Sequence, residues 1–201
     1  GQVVYELELL EQRLLRRSQQ IAAMKISVPR ATYITYAFTE FFKSIQDRSQ
    51  IQINFSETNS QEAIENILNQ GFQLGIIRYP DFMEDRVQGL LAQKRLCSKP
   101  IWDFAYMLLV SENSPLAGKQ QAHPEDIAGW TELVHGDVEN AFLPERTDAL
   151  GEPKRIYLYE RGSQFDFLSN VPETYMWVSP LPQKVLAQHG LVQLPCPENR
   201  Y

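Results

Sequence analysis

The chain has 201 residues, 43% of them hydrophobic and 22% charged, enough for one large domain or two small lobes with buried cores and unlike a disordered or fibrous class. Its formal net charge of -6 argues against a surface that grips nucleic acid, which needs clustered Lys and Arg; the 19 basic residues are scattered apart from Arg13, Arg16 and Arg17. No apolar run approaches the ~20 residues that cross a bilayer, and the first residues alternate charged with apolar side chains, unlike a secretory signal.

Taken in chain order, Val3, Leu7, Leu10, Leu14 and Ile21 recur at alternating four- and three-residue steps, with Arg17 in the sixth place of the series. That spacing predicts a heptad helix over 1–24 that seeks a partner helix; the plainer alternative is an amphipathic helix packed on its own domain, with Leu9 and Leu15 off the seam to make the contact. Lys25 to Val28 reads as a strand stopped by Pro29, and Ile34, Phe38, Phe41, Phe42 and Ile45 then follow helical spacing with Thr32 as a candidate N-cap. Ile51, Ile53 and Phe55 alternate with polar residues, as in a sheet-edge strand. Asn59 and Glu62 form a cap-like pair before Ile64, Ile67 and Leu68, with Gly71 placed to end that helix. Leu74 to Ile77 reads as a buried parallel strand, so 25–77 is β-α-β-α-β with a parallel sheet.

Beyond it, Leu90 to Leu96 is a weaker candidate strand and Phe104 to Val110 a strong one. His123 to Trp130 suggests a short helix, and Glu132 to His135 a strand. The stretch from Asn140 to Lys154, rich in charge, Pro and Gly, is assigned no element. Ile156 to Tyr159, Phe165 to Leu168 and Tyr175 to Val178 give a second β-α-β alternation. A helix at Gln183 to Gln188, stopped by Gly190, precedes a last strand, Leu191 to Leu194. Cys97 and Cys196 are too few for a disulfide scaffold and lack metal-ligand spacing with the three histidines. The expectation is reduced thiols in a cytoplasmic protein, with no metal and no cofactor.

The order of blocks carries a resemblance. A heptad helix runs into strand–Pro–helix, then Glu57-Thr58-Asn59-Ser60, then Gly71-Phe72-Gln73-Leu74-Gly75-Ile76-Ile77-Arg78. Val110-Ser111-Glu112-Asn113-Ser114-Pro115-Leu116-Ala117 follows, then His123-Pro124-Glu125-Asp126-Ile127, Val178-Ser179-Pro180 and Gly190-Leu191-Val192-Gln193-Leu194-Pro195. This resembles the linker helix plus regulatory domain of LysR-type transcriptional regulators across essentially the whole chain. Departures are Gln73 in place of the usual acid, Ser114 in place of the usual His, and Asn170-Val171-Pro172-Glu173 in place of a glycine-rich stretch.

The resemblance implies an α/β, two-lobed fold of the type 2 periplasmic-binding-protein kind, preceded by a linker helix over 1–24. Lobe I would comprise 25–97 plus 182–201, and lobe II 98–181. It further implies a cytoplasmic homodimer or homotetramer that senses a small-molecule effector between its lobes. DNA would be contacted only through a winged helix-turn-helix domain that is not among these residues, and no membrane would be involved.

Ligands of open parallel sheets bind beyond the strand carboxyl ends, at helix N-termini suited to anions. The loops after the first three strands hold Arg30, Thr32 and Tyr33; Thr58, Asn59 and Ser60; and Arg78, Tyr79 and Pro80. The matching edges of the second lobe are His135, Gly136 and Asp137, and Gly162, Ser163 and Gln164. Each has a plainer reading: Thr32, Asn59 and Ser60 as helix caps, Arg78 paired with Asp81 or Glu84, Arg30 as a solvated loop residue. If both arginines face the site, the effector is a small anion, such as a carboxylate. Tyr33, Tyr79, Phe142 and Trp177 are candidate aromatic lining, with Trp177 the better core residue.

Catalytic signatures are missing. The sequence has no Walker loop, no Gly-x-Ser-x-Gly elbow and no His-Glu-x-x-His helix, so a binder rather than an enzyme is expected. The rival reading is an exported solute-binding protein of a transporter, which shares the two-lobed design but has no use for a dimerising helix.

Overall fold

The computed structural model describes residues 22–47, 51–136 and 154–197. The heptad helix expected over 1–24 therefore lies outside the described residues, except that Ala22 to Met24 already belong to the first strand. Asp137 and Phe142 lie outside them too. The described residues fall into two compact units, one within 1–103 and the other within 104–201.

In the first unit, β1 (Ala22–Pro29), α1 (Thr32–Ile45), β2 (Ile51–Thr58), α2 (Ser60–Asn69) and β3 (Leu74–Gly75) follow one another, and α3 (Glu84–Gln93) comes after a short 3-10 turn. The sheet has the order β2-β1-β3, with both neighbours parallel to β1. β1 starts three residues earlier than the pattern suggested. Met24, Ile26 and Val28 are buried on one face, and Ser27 is buried on the other, where its Oγ accepts from Asn66 Nδ2 of α2 at 3.1 Å. A strand covered on both faces belongs at the centre. β2 lies at the edge, with Gln52 and Asn54 exposed between half-buried Ile51, Ile53 and Phe55, as its alternation predicted.

Three expectations need correction in this unit. The N-cap of α1 is Ala31, not Thr32, and no side chain caps the helix; the Ala31 carbonyl instead accepts from Ile34 N and Thr35 N. The apolar run Leu74 to Ile77 forms the expected parallel strand only over Leu74–Gly75, and it is half-buried instead of buried, pairing only with β1 among the described residues. Leu90 to Leu96 is not a strand, because Val87, Leu90 and Leu91 stand at helical spacing and α3 buries Val87 and Leu91. By contrast, the Asn59–Glu62 pair is a cap, Asn59 Oδ1 accepting from Glu62 N at 2.8 Å.

The second unit holds β4 (Met107–Ser111), a 3-10 turn (Pro124–Ile127), β5 (Thr131–His135), β6 (Lys154–Leu158), α4 (Arg161–Asn170), β7 (Thr174–Val178), α5 (Gln183–His189) and β8 (Leu191–Pro195). Its sheet runs β6-β5-β7-β4-β8, with β6, β5 and β7 parallel and β4 antiparallel to both its neighbours. One face buries Leu109, Leu133, Leu158, Met176 and Leu191 against Leu168 of α4 and Leu186 of α5. The other buries Leu108, Val110, Tyr175 and Leu194 against Leu116 and Ala122.

The assignment of 182–201 to the first lobe is overturned by pairing: β8 hydrogen-bonds β4 from Ser111↔Leu191 to Met107↔Pro195. The physical reason is that Leu191 and Leu194 enter opposite faces of this sheet. Gly190 makes the approach, at φ +62, a left-handed conformation that other residues adopt at a steric penalty; its carbonyl accepts from Glu112 N at 2.8 Å.

His123 to Trp130 forms only the 3-10 turn. Asp126 fastens it: Oδ2 accepts from His123 N at 3.0 Å and Oδ1 from Lys119 Nζ at 2.6 Å. The Lys119 hydrogen bond first, then that of the His123 backbone, holds the Asp126 carboxyl below its ordinary 3.8. A depressed carboxyl contributes stability above its unfolded pKa and loses it as pH falls through the folded value. An NMR titration should therefore place the Asp126 midpoint below 3.8, with the turn loosening as pH falls through that midpoint; a midpoint at or above 3.8 contradicts the assigned bonds.

Candidate functional site

Because β1, β2 and β3 are parallel, their carboxyl ends share one edge of the first unit, and both α1 and α2 begin there. Register places Pro29 opposite Thr58, so Arg30 and Asn59 follow on adjacent strands. Ser60, buried at the start of α2, bridges this edge to the segment after β3: its Oγ accepts from Arg78 N at 2.9 Å and donates to Arg78 O at 3.0 Å. Arg78 then reaches the end of β1, its Nη2 donating to the Arg30 carbonyl at 3.3 Å. The structure thus brings Arg30, Thr58, Asn59, Ser60 and Arg78 together.

Their roles differ. Asn59 caps α2, Ser60 pins the backbone of Arg78, and the buried Thr58 hydroxyl donates to Glu62. Glu62 also sits in the first turn of α2, so this helix start already carries a carboxylate. The start of α1 differs, since it has no acidic residue and no side-chain cap. One turn in, Thr35 Oγ1 donates to Glu57 Oε1 at 2.8 Å. Each helix start thus has a carboxylate within a turn, Glu57 at α1 and Glu62 at α2, but α1 alone lacks a side-chain cap and follows Arg30 directly, which leaves it the better suited of the two to an anion.

Thr32 is the first residue of α1 and half-buried. Tyr33 makes an edge contact with Trp102, centroids 4.4 Å apart at 69°. Tyr79 points into packing, against Ile64, Val87 and Leu91, and Gln88 Nε2 donates to its hydroxyl at 3.4 Å. Burial first, then a hydrogen bond to Glu84, pushes the Tyr79 phenol above its ordinary 10.0. That environment makes Tyr79 part of the packing between α2 and α3.

In the second unit, His135 ends β5, Leu158 ends the parallel β6, and α4 begins after Glu160. Gly136 N donates to Leu158 O at 2.8 Å. A Cβ at Gly136 would stand 2.5 Å from the Tyr159 ring, so glycine permits this close approach. Gly162 is exposed and Ser163 half-buried, both in the first turn of α4. His135, Gly162 and Ser163 therefore share the carboxyl edge of this unit. Trp177 packs with Tyr175 and the core face.

Sequence reasoning did not single out Thr35, Glu57 or Trp102. Thr35 lies one helical turn after Ala31, a signal the helix pattern contained. Trp102 carried none. Among the described residues, no group of three or more His, Cys, Asp and Glu is placed to hold a metal ion, no disulfide joins Cys97 and Cys196, and no helix is long and apolar enough to cross a membrane.

Compared with curated proteins by sequence, the chain matches none. Its fold matches that of solved structures. The effector-binding domain of QuiR in complex with shikimate aligns with a TM-score of 0.57 at 14% identity, covering 90% of this chain and 84% of that one. The reduced form of OxyR gives 0.57 at 11% identity, covering 88% and 80%. HinK, a LysR family transcriptional regulator from Pseudomonas aeruginosa, gives 0.57 at 17% identity, covering 95% and 64%. The two α/β units are those of a periplasmic-binding-protein type 2-like fold. Residues 29–200 match the LysR substrate binding domain, and the chain belongs to that family.

Proposed function

We propose that the chain is the effector-sensing module of a LysR-type transcriptional regulator, taking a small anionic molecule at the carboxyl edge of the first unit. The observation that carries this reading is the Arg78 guanidinium, held on the main chain of Arg30 just ahead of the uncapped start of α1. Membership of the substrate-binding family supports a ligand-sensing role over a catalytic one, and the likeness to the shikimate-bound QuiR domain agrees with a small carboxylate. In the intact cytoplasmic regulator, a homodimer or homotetramer, DNA is contacted through a separate domain. The ligand acts only through its differential affinity for two arrangements of the subunits. The family match disfavours the transporter-protein alternative.

A thermal-shift screen against small carboxylates and phosphates tests this reading, since ligands of the native state raise Tm with concentration. Arg30→Ala and Arg78→Ala should each weaken a carboxylate hit about tenfold to a hundredfold, the equivalent of the ~1.5–3 kcal/mol of a hydrogen bond to a charged group. Unchanged affinity in both variants removes the anion site.

A further inference from the structure

The start of α4 combines two features. Glu160 gives the helix no side-chain cap, so the N–H groups of the first turn have no partner within the helix. Gly162 in that turn is exposed, with open space where a Cβ would stand. The second feature is Gln164, which is 3% exposed and whose Oε1 has no hydrogen-bond partner. Helical side chains lean toward the helix N-terminus. A glutamine at the fourth position of α4 is therefore carried toward the open end of the helix. One turn further along the same face stands Leu168, fully buried in the apolar core. A leucine would serve equally at position 164 if packing were all that mattered, because a buried acceptor without a donor is destabilising.

We infer that the start of α4 is a subsite for a ligand that carries a hydrogen-bond donor beside an acceptor. The acceptor, a carboxylate or carbonyl oxygen, meets the free N–H groups of the first turn. The donor, a hydroxyl or amide N–H, meets Gln164 Oε1. This inference rests on the effector-sensing reading and adds a subsite on the second unit taken by itself: hydroxy acids and amido acids fit this edge, and plain carboxylates leave Gln164 unsatisfied. A site built to bond a ligand hydroxyl discriminates strongly against the analogue that lacks it, because the buried partner is then stranded.

Paired probes test the inference on the whole chain: malate with succinate, salicylate with benzoate, and quinate with cyclohexanecarboxylate, each titrated by thermal shift and calorimetry. In the wild type at least one hydroxylated member should bind about tenfold or more tighter than its partner. In Gln164→Leu, and in Gln164→Met as a second variant of similar volume, that preference should fall to about twofold or less. The ligand-free variants should melt about 2–4 °C higher, since an unsatisfied buried acceptor is gone. Equal binding of both members by the wild type overturns the inference and leaves the effector reading standing. So does a preference that survives in both variants. No binding of any probe overturns the inference, and silence in the wider metabolite screen as well removes the effector reading itself.

Discussion

Arg155→Met is expected to lower the unfolding free energy by about 2–4 kcal/mol, an effect far larger than that of a surface ion pair. Arg155 Nε donates to Glu132 Oε2 at 3.0 Å, with the Glu132 side chain only 4% exposed and that of Arg155 24%. The two stand opposite each other in the parallel β5–β6 ladder, and Tyr175 of β7 flanks Glu132 on the other side. Removing the guanidinium takes a charged hydrogen-bond partner from a carboxylate that is buried in the sheet. The partial exposure of Arg155 lets some water in, which is why the expected loss lies toward the lower end for broken buried pairs. Replacing both partners, Glu132→Leu with Arg155→Met, should recover stability to within about 1 kcal/mol of the wild type, because the pair's attraction mostly offsets its own desolvation. Urea unfolding of the two single variants and the double variant measures this directly. A single variant within about 0.5 kcal/mol of wild type would falsify the buried-pair account.

The same pair bears on register. In β6, Ile156 packs against and Leu158 lies in the apolar core shared with α4, while Arg155 faces Glu132 on the opposite side. A one-residue slip of an edge strand would turn Arg155 into that core. Charge therefore specifies the pairing of β6 even where it adds little net stability.

How much of this was legible in the sequence depended on whether a signal was local. The cap at Asn59, the edge character of Ile51 to Ser56 and the stop at Gly190 all rest on neighbouring residues, and all are present. The place of the C-terminal strand was not local. Leu191 to Leu194 looks the same whether it joins one sheet or another; only its pairing with Met107 to Ser111 decides. Leu90 to Leu96 failed for a related reason, since a short apolar run fits helix and strand alike until Val87 is counted as part of the face. At the candidate site, parallel-sheet topology correctly put Arg30, Asn59 and Arg78 at one edge. It did not show that Ser60 is occupied with the backbone of Arg78 or that Tyr79 turns into packing, because both depend on side-chain partners distant in sequence. Gln164 was named only as a neighbour of Gly162 and Ser163. Its significance is its burial without a partner for Oε1, which no sequence pattern displays.

Leu168→Ala should destabilise the second unit by about 3–4 kcal/mol, the combined loss of apolar transfer and cavity formation at a site that cannot collapse. Leu168 is fully buried among Leu109, Leu133, Leu158, Met176, Leu181, Leu186 and Leu191. These belong to several strands and to the neighbourhood of α5, so no single element can move to fill the gap. The sequence of α4 gives it little help from intrinsic preference: Gly162, Ser163, Asp166, Ser169 and Asn170 are weak helix formers or cap-prone residues. Tertiary contact through Leu168, with Phe165 and Phe167 beside it, is what keeps this helix on the sheet. A fall in Tm of about 10 °C is expected for the chain, against less than about 1.5 kcal/mol for Leu168→Met, which nearly preserves volume. The functional consequence follows from position. Leu168 touches no ligand group, yet it anchors the helix whose first turn presents Gly162, Ser163 and Gln164. Loss of that anchor should weaken any ligand held there beyond the change in global stability, because the N–H groups and the Gln164 carbonyl then lose their fixed geometry. If Leu168→Ala lowers stability as expected but leaves the affinity for a hydroxylated hit unchanged, the first turn of α4 is positioned by its strand connection at Tyr159 and Glu160, and not by the core beneath it.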